Sequence, residues 1–161
     1  MKLILKKMIE QARKAGACKE GLNRIRKYST IKEALKDKQA PYWCYWYAVI
    51  VLRGRFIEGE KVIAKGAGCS YLYARDVLHG RFIKGEKAIS KDVGYSYMYA
   101  LIVLHDRFIE GEKAISKDVG YSYMYARNVL QDRFIEGEKI ISENAWYNCL
   151  YIQDVLNKKE V

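Results

Sequence analysis

Apolar and polar positions recur along residues 55–158 with a period of 26. The run Arg-Phe-Ile-x-Gly-Glu-Lys opens at Arg55, Arg81, Arg107 and Arg133. Tyr-x-x-x-Val-Leu follows it at Tyr73–Leu78, Tyr99–Leu104, Tyr125–Leu130 and Tyr151–Leu156. A degenerate unit at 29–54 keeps the phase through Tyr47-Ala48 and Val51-Leu52. The units are therefore 29–54, 55–80, 81–106, 107–132 and 133–158, after a leading segment 1–28. A fixed period of this length is the signature of stacked supersecondary units.

Within 81–106, Phe82, Ile83, Ala88 and Ile89 lie at helical spacing over about two turns. Gly85 interrupts that stretch and recurs in every such unit, which predicts a close backbone approach, because only glycine lacks a Cβ. Lys91-Asp92-Val93-Gly94 punctuates the pattern, with Asp92 suited to capping the helix that follows. From Tyr95 to Leu104, Ser96, Ala100, Val103 and Leu104 fall on one stripe, and His105-Asp106 closes the unit. Tyr95, Tyr97 and Tyr99 alternate as a strand would, but the alternation stops at Ala100 and the continuation is helical. Each unit thus predicts two short helices. A period of 26 is no multiple of seven, which argues against a coiled coil.

Helices this short are marginal alone. Stacking supplies the missing burial, and the expected fold is all-α: an α-solenoid of two-helix repeats with an N-terminal helical cap, one elongated domain over 1–161. In the cap, Leu3, Ile4, Met8, Ile9 and Ala12 make an amphipathic stripe over about 2–14. Gly16 breaks it, a second helix covers about 17–27, and Thr30-Ile31-Lys32-Glu33 is a capping box that starts another.

Charge adds a direction to this picture. The chain of 161 residues carries 29 basic and 19 acidic side chains, a net +10. Nine of the basic residues lie in 1–28 against only Glu10 and Glu20, whereas the last unit is slightly acidic. A basic surplus favours an anionic partner, either nucleic acid or acidic protein. Membrane-surface binding by the 2–14 helix is a lesser alternative, its apolar stripe being short. The asymmetry also permits head-to-tail self-association. No apolar run is long enough to span a bilayer. Cys18, Cys44, Cys69 and Cys149 form no CxxC pair, and His79 and His105 complete no zinc spacing, so no metal or other cofactor is expected. Unpaired cysteines behind a start that Lys6 and Lys7 make unlike a secretory signal imply a cytoplasmic protein.

The segments Arg107-Phe108-Ile109-Glu110-Gly111-Glu112-Lys113-Ala114-Ile115 and Tyr121-Ser122-Tyr123-Met124-Tyr125-Ala126-Arg127 resemble short helical repeats of uncharacterised phage and giant-virus proteins. Ala17-Cys18-Lys19-Glu20-Gly21-Leu22, Thr30-Ile31-Lys32-Glu33-Ala34-Leu35 and Trp43-Cys44-Tyr45-Trp46-Tyr47-Ala48 resemble the N-terminal segment of phage hypothetical proteins. Together these cover nearly the whole chain. The repeats of that group carry proline after the aromatic residue, where Ile57, Ile83, Ile109 and Ile135 stand here, and again where Ala67, Val93, Val119 and Ala145 stand. Proline is one way among several to start a helix, so the fold survives the change. The resemblance implies a viral, bacteriophage-type origin, action in the host cytoplasm and, as one form of function, inhibition of a host defence complex. It carries no enzymatic activity.

Near-copies of one unit are a poor way to build one asymmetric active site, and no nucleophile triad, Walker loop or dinucleotide fingerprint is present. The chain is therefore expected to be a protein-binding scaffold rather than an enzyme, with a nucleic-acid binder as the alternative. Glu58 and Glu60 and their counterparts suit the helix dipole. Arg55, Arg81, Arg107 and Arg133 suit an ion-pair ladder with Glu60, Glu86, Glu112 and Glu138, or else a row that tracks phosphates. Tyr73, Tyr99, Tyr125 and Tyr151 are expected between repeats. Tyr71, Tyr97 and Tyr123, about 200° around the helix, are expected to be more exposed and available for stacking with Arg75 and Arg127. Leu101 and Ile102 then form an apolar centre between those arginines, the composition of an interaction hot spot. The candidate partner-binding residues are Tyr71, Arg75, Tyr97, Leu101, Ile102, Tyr123 and Arg127 on the repeats. On the basic cap they are Lys6, Lys7, Arg13, Lys14, Lys19, Arg24, Arg26 and Lys27.

Overall fold

Among the described residues every regular element is a helix. The computed structural model describes residues 2–157, for Lys2 the backbone only; Lys158, assigned above to the fifth unit, and the tail beyond it lie outside. The cap comprises α1 (Lys2–Lys14) and α2 (Lys19–Ile25), and α3 (Ile31–Ala34) and α4 (Ala40–Trp46) make up the degenerate unit. First and second helices then alternate: α5 (Ile57–Ile63) and α6 (Ala67–Tyr73), α7 (Ile83–Ile89) and α8 (Val93–Met98), α9 (Ile109–Ile115) and α10 (Val119–Tyr125), α11 (Ile135–Ser142) and α12 (Ala145–Tyr151).

Local chemistry explains most of these boundaries. Thr30 and Glu33 form the reciprocal capping box. Gly16, at φ +85°, turns the chain out of α1. Asp92, Asp118 and Asn144 cap the second helices by accepting the amides of Tyr95, Tyr121 and Tyr147 at 3.0, 2.9 and 3.1 Å. Ile57, Ile83, Ile109 and Ile135 each occupy the first helical position, where proline is also tolerated. They do not join the buried stripe that their spacing suggests: they are 62–74% exposed. The preceding phenylalanine, still in non-helical backbone, turns inward in their place, and the helix starts with the isoleucine facing out.

Each second helix continues into a π-helical stretch: Tyr47–Leu52, Ala74–Leu78, Tyr99–Leu104, Ala126–Leu130 and Ile152–Leu156. The first four end on a residue in the left-handed region, Arg53, His79, His105 or Gln131, with φ between 49° and 52°. The carbonyl of a buried alanine closes the stretch. That of Ala74 accepts from His79 and, at 3.1 Å, from Gly80. Sequence pattern foresees one continuous helix here, because α and π turns draw on the same residue types.

Stacking pairs each second helix most closely with the first helix of the following unit, as in α4 with α5 and α6 with α7. Glycine makes that approach possible. A Cβ on Gly85 would lie 2.6 Å from the Cβ of Ser70, and on Gly111 and Gly137 it would lie 2.8 Å from those of Ser96 and Ser122. The hydroxyls of Ser70, Ser96 and Ser122 turn back to the carbonyls of Ile63, Ile89 and Ile115. Tyr73, Tyr99 and Tyr125 each meet the next unit's Phe82, Phe108 or Phe134 at 5.1 Å between ring centres. The result is a helical-repeat solenoid with one continuous core from Ala40 to Val155, against which Met8 of the cap and Leu35 of the degenerate unit pack.

The last unit departs from this code at its outer face. Where preceding units have Gly68, Gly94 and Gly120 it has Trp146; where they have Ser70, Ser96 and Ser122 it has Asn148; where they have Tyr71, Tyr97 and Tyr123 it has Cys149. Trp146 is 70% exposed. Among the described residues no helix is long and apolar enough to cross a membrane.

Candidate interaction surfaces

The polar residues that recur in every unit are bonded to one another. Arg81 forks onto both oxygens of Glu86 at 2.9 Å, and Arg107 does the same with Glu112. Arg133 grips Glu138 at 2.7 and 2.8 Å. The hydroxyl of Tyr99 donates to Glu86 at 2.9 Å and accepts the amide of Phe82 at 2.8 Å. Tyr125 links Glu112 to Phe108, and Tyr151 links Glu138 to Phe134, in the same way. Glu86 and Glu112 are buried beneath half-exposed arginines. Burial pushes the phenols of Tyr99 and Tyr125 above their ordinary range.

Unit 55–80 shows one variation. Both donors of Arg55 fall on one oxygen of Glu60, and Lys84 of the next unit takes the other at 2.7 Å. Burial alone would raise this carboxyl, but Lys84 and Arg55 together hold it below the usual range. The ion-pair ladder thus runs within units and, at Lys84, between them. Glu58, Glu110 and Glu136 sit in first turns as dipole-complementing acids, whereas Glu60 and its counterparts serve the network.

Tyr71, Tyr97 and Tyr123 are not exposed, contrary to their position on the helical wheel: the three are 3–6% accessible. The helices that carry them, α6, α8 and α10, are each covered on two sides, by the following first helix and by neighbouring second helices. Tyr71 packs on Tyr95, Tyr97 on Tyr121 and Tyr123 on Tyr147, with centroids 5.6–5.8 Å apart. The pairing with arginine does occur, Arg75 lying 5.4 Å from the Tyr71 ring centre and Arg127 5.9 Å from that of Tyr123. With these rings buried, they offer no free platform for a base.

Their burial explains the variable pairs. The residue 31 positions beyond each tyrosine meets its hydroxyl: Tyr45 donates to Asp76 at 2.7 Å, the amide of Asn128 donates to Tyr97 at 2.9 Å, and Tyr123 donates to Asp154. Arg75 also bonds Asp76 and keeps its carboxyl below the usual range. At the one break in this series, Ile102 stands where a polar partner of Tyr71 is due. Successive π-helical stretches touch. Ile102 is therefore exposed in the middle of the row, Leu101 is half-buried against the core, and Arg75 and Arg127 project on either side.

The basic cap divides in two. Arg24 is half-buried and clamps Asp37 at 2.9 and 3.1 Å, while Tyr28 donates to the same carboxylate at 2.6 Å. The Arg24 guanidinium, with help from Tyr28 and the Gln39 amide, draws Asp37 down to about 2. Arg13 forks onto Glu10, and Arg26 reaches Asn23. Of the predicted cap residues, Arg24 is thus structural. Lys6, Lys7, Lys14, Lys19 and Lys27 are exposed and make no ion pair among the described residues.

Two surfaces had no sequence signal. One is the row of exposed isoleucines on the first helices. The other is an apolar cavity of about 520 Å³ between the cap and α4, with Leu5, Met8, Leu22, Trp43, Trp46 and Phe56 in its walls. The four thiols are free; burial pushes that of Cys44 up to about 12. Among the described residues no three histidine, cysteine or acidic side chains gather to hold a metal. Comparison with protein-family models, curated proteins and solved structures found no match.

Proposed function

We propose that this chain is a non-enzymatic helical-repeat binding protein that engages a host or viral protein complex through the π-helical face of its middle units. One observation carries the reading. Recurring arginines, glutamates and tyrosines are bonded within the chain, while Ile102 interrupts the polar partners of the second-helix tyrosines and stands exposed, as Ile50 does at the same repeat position, with Arg75 and Arg127 on the neighbouring units. An apolar centre rimmed by arginines held in place by tyrosine and aspartate is hot-spot anatomy. The resemblance to phage and giant-virus repeats makes a host defence complex the first class of partner to test.

The test is capture from host lysate after nuclease treatment, comparing the natural chain with a triple variant carrying Arg75→Ala, Ile102→Asp and Arg127→Ala. A nuclease-resistant protein complex retained by the first and reduced at least roughly tenfold by the variant is the expected result. Recovery of RNA or DNA alone, released at modest salt, favours the second reading, a nucleic-acid binder. The unpaired lysines of the cap support that alternative. Reversing Lys6, Lys7 and Lys14 would then flatten its salt dependence.

A further inference from the structure

We infer that the outer face of the first helices α5 and α7 rests on the surface of an anionic lipid bilayer; this contact is separate from the π-helical face and does not depend on the protein-binding reading. Successive first helices touch, so equivalent residues of neighbouring units lie in rows. Ile57, Ile83, Ile109 and Ile135 form one row, each 62–74% exposed. The first helical turn does not ask for isoleucine, a poorer helix former than alanine or glutamate. One turn further on, on the same face, stand the exposed Lys61, Lys87, Lys113 and Lys139. Lys65, Lys91 and Lys117 follow four residues later, and none of these lysines makes an ion pair among the described residues.

Charge concentrates the contact on two units. On α5, α7 and the turns that follow them, exposed Lys61, Lys65, Lys84, Lys87 and Lys91 face only Glu58, because Arg55 with Glu60 and Arg81 with Glu86 cancel. Further along, Glu110, Glu136 and Glu143 offset Lys113, Lys117 and Lys139. An open groove of about 510 Å³ between the two units is lined by Arg55, Arg81 and Lys84, with Ile83 and Glu60 in its walls. Arg55 and Arg81 each commit Nε and Nη2 to their glutamates, and Lys84 commits one of its three ammonium donors, so donors remain for a headgroup phosphate or carboxylate. Lysines alone would suit any polyanion. The isoleucines decide between the candidates. A phosphate backbone has no use for exposed aliphatic side chains. Charged residues flank each isoleucine, as Lys84 and Lys87 flank Ile83, so no unbroken apolar seam offers itself to a partner helix. A bilayer takes such side chains singly, beneath a headgroup layer that meets the lysines.

The test is co-sedimentation of the full chain with phosphatidylcholine vesicles, with and without phosphatidylserine. Binding to the mixed vesicles alone, lost as salt is raised, is the expected result. Ile57→Ser together with Ile83→Ser, both at exposed positions, should weaken it at least roughly fivefold. Lys84→Glu should weaken it to a similar degree, and Glu110→Lys, which carries the basic pattern into the next unit, should strengthen it at least roughly threefold. Each charge change installs a residue that another unit already carries at that place, and circular dichroism checks that helicity is unchanged. No sedimentation with either vesicle overturns the inference, as does binding that ignores the isoleucine pair. Loss on Lys6→Glu with Lys7→Glu, but not on the isoleucine pair, overturns it by placing the contact on α1. Lys84-dependent binding of duplex DNA or polyglutamate in the absence of vesicle binding overturns it in favour of nucleic acid or acidic protein.

Discussion

Tyr99 holds two units together at once. Its ring packs on Phe108 of the next unit, while its hydroxyl satisfies the Phe82 amide and the buried Glu86. Removing the hydroxyl leaves the buried Phe82 amide without its partner, while Glu86 keeps Arg81, at a cost of about 1–3 kcal/mol. Tyr99→Phe should therefore lower stability by that amount in urea unfolding; a change within error would show that water replaces the hydroxyl. Asp37 gives the pH counterpart. Its carboxyl is drawn down to about 2 by Arg24, so its contribution is fully present above the ordinary carboxylate value and is lost as pH falls toward 2. The melting-temperature gap between the natural chain and Asp37→Asn should be constant above about pH 5 and close below about pH 4. At this scale much was legible. Asp92, Thr30 and the Arg-Glu ladder follow from spacing and side-chain chemistry. Tyr71, Tyr97 and Tyr123 did not, because a helical wheel assigns one face to solvent and cannot know that neighbours cover two.

Between elements, the spacing of second and first helices is set by glycine against serine. A Cβ at Gly111 would sit 2.5 Å from Phe108 and 2.8 Å from Ser96, both in packed surroundings. Gly111→Ala must push the helices apart, and the expected loss is about 1–3 kcal/mol, the usual range for overpacking. Gly80 is the control: a Cβ there finds nothing nearer than a carbonyl at 3.9 Å, so Gly80→Ala should leave the melting temperature within about a degree or two. Equal effects at the two sites would refute the close-approach account. The glycine's purpose was legible from recurrence alone. The π-helical turns were not, since they depend on how a helix end meets its neighbours. The exposed isoleucines were misplaced for a related reason: a first-turn residue points wherever the preceding phenylalanine leaves room.

For the whole molecule, interchangeable internal faces make stability a sum over units and the contacts between them. Excising 107–132 brings Gly137 against Ser96 and Tyr147 against Tyr97, the same residue types that meet in the parent chain. The shortened chain should fold cooperatively with unchanged helicity per residue and a lower melting temperature. Excising half that length should abolish the transition, both read by circular dichroism. The 26-residue period made this architecture legible. The cavity was not, because it forms where the irregular cap meets the first unit and no period describes that junction.

Trp146 gives the array a property that repetition alone does not provide, namely punctuation. A unit stacked on α12 in the same register would bring its docking tyrosine onto the Trp146 indole, where the other registers have glycine, so that stacking would require the indole to move. Units can be inserted or removed between the cap and unit 133–158 without altering either contact. Such a change lengthens or shortens the middle, and with it the spacing of whatever the middle displays.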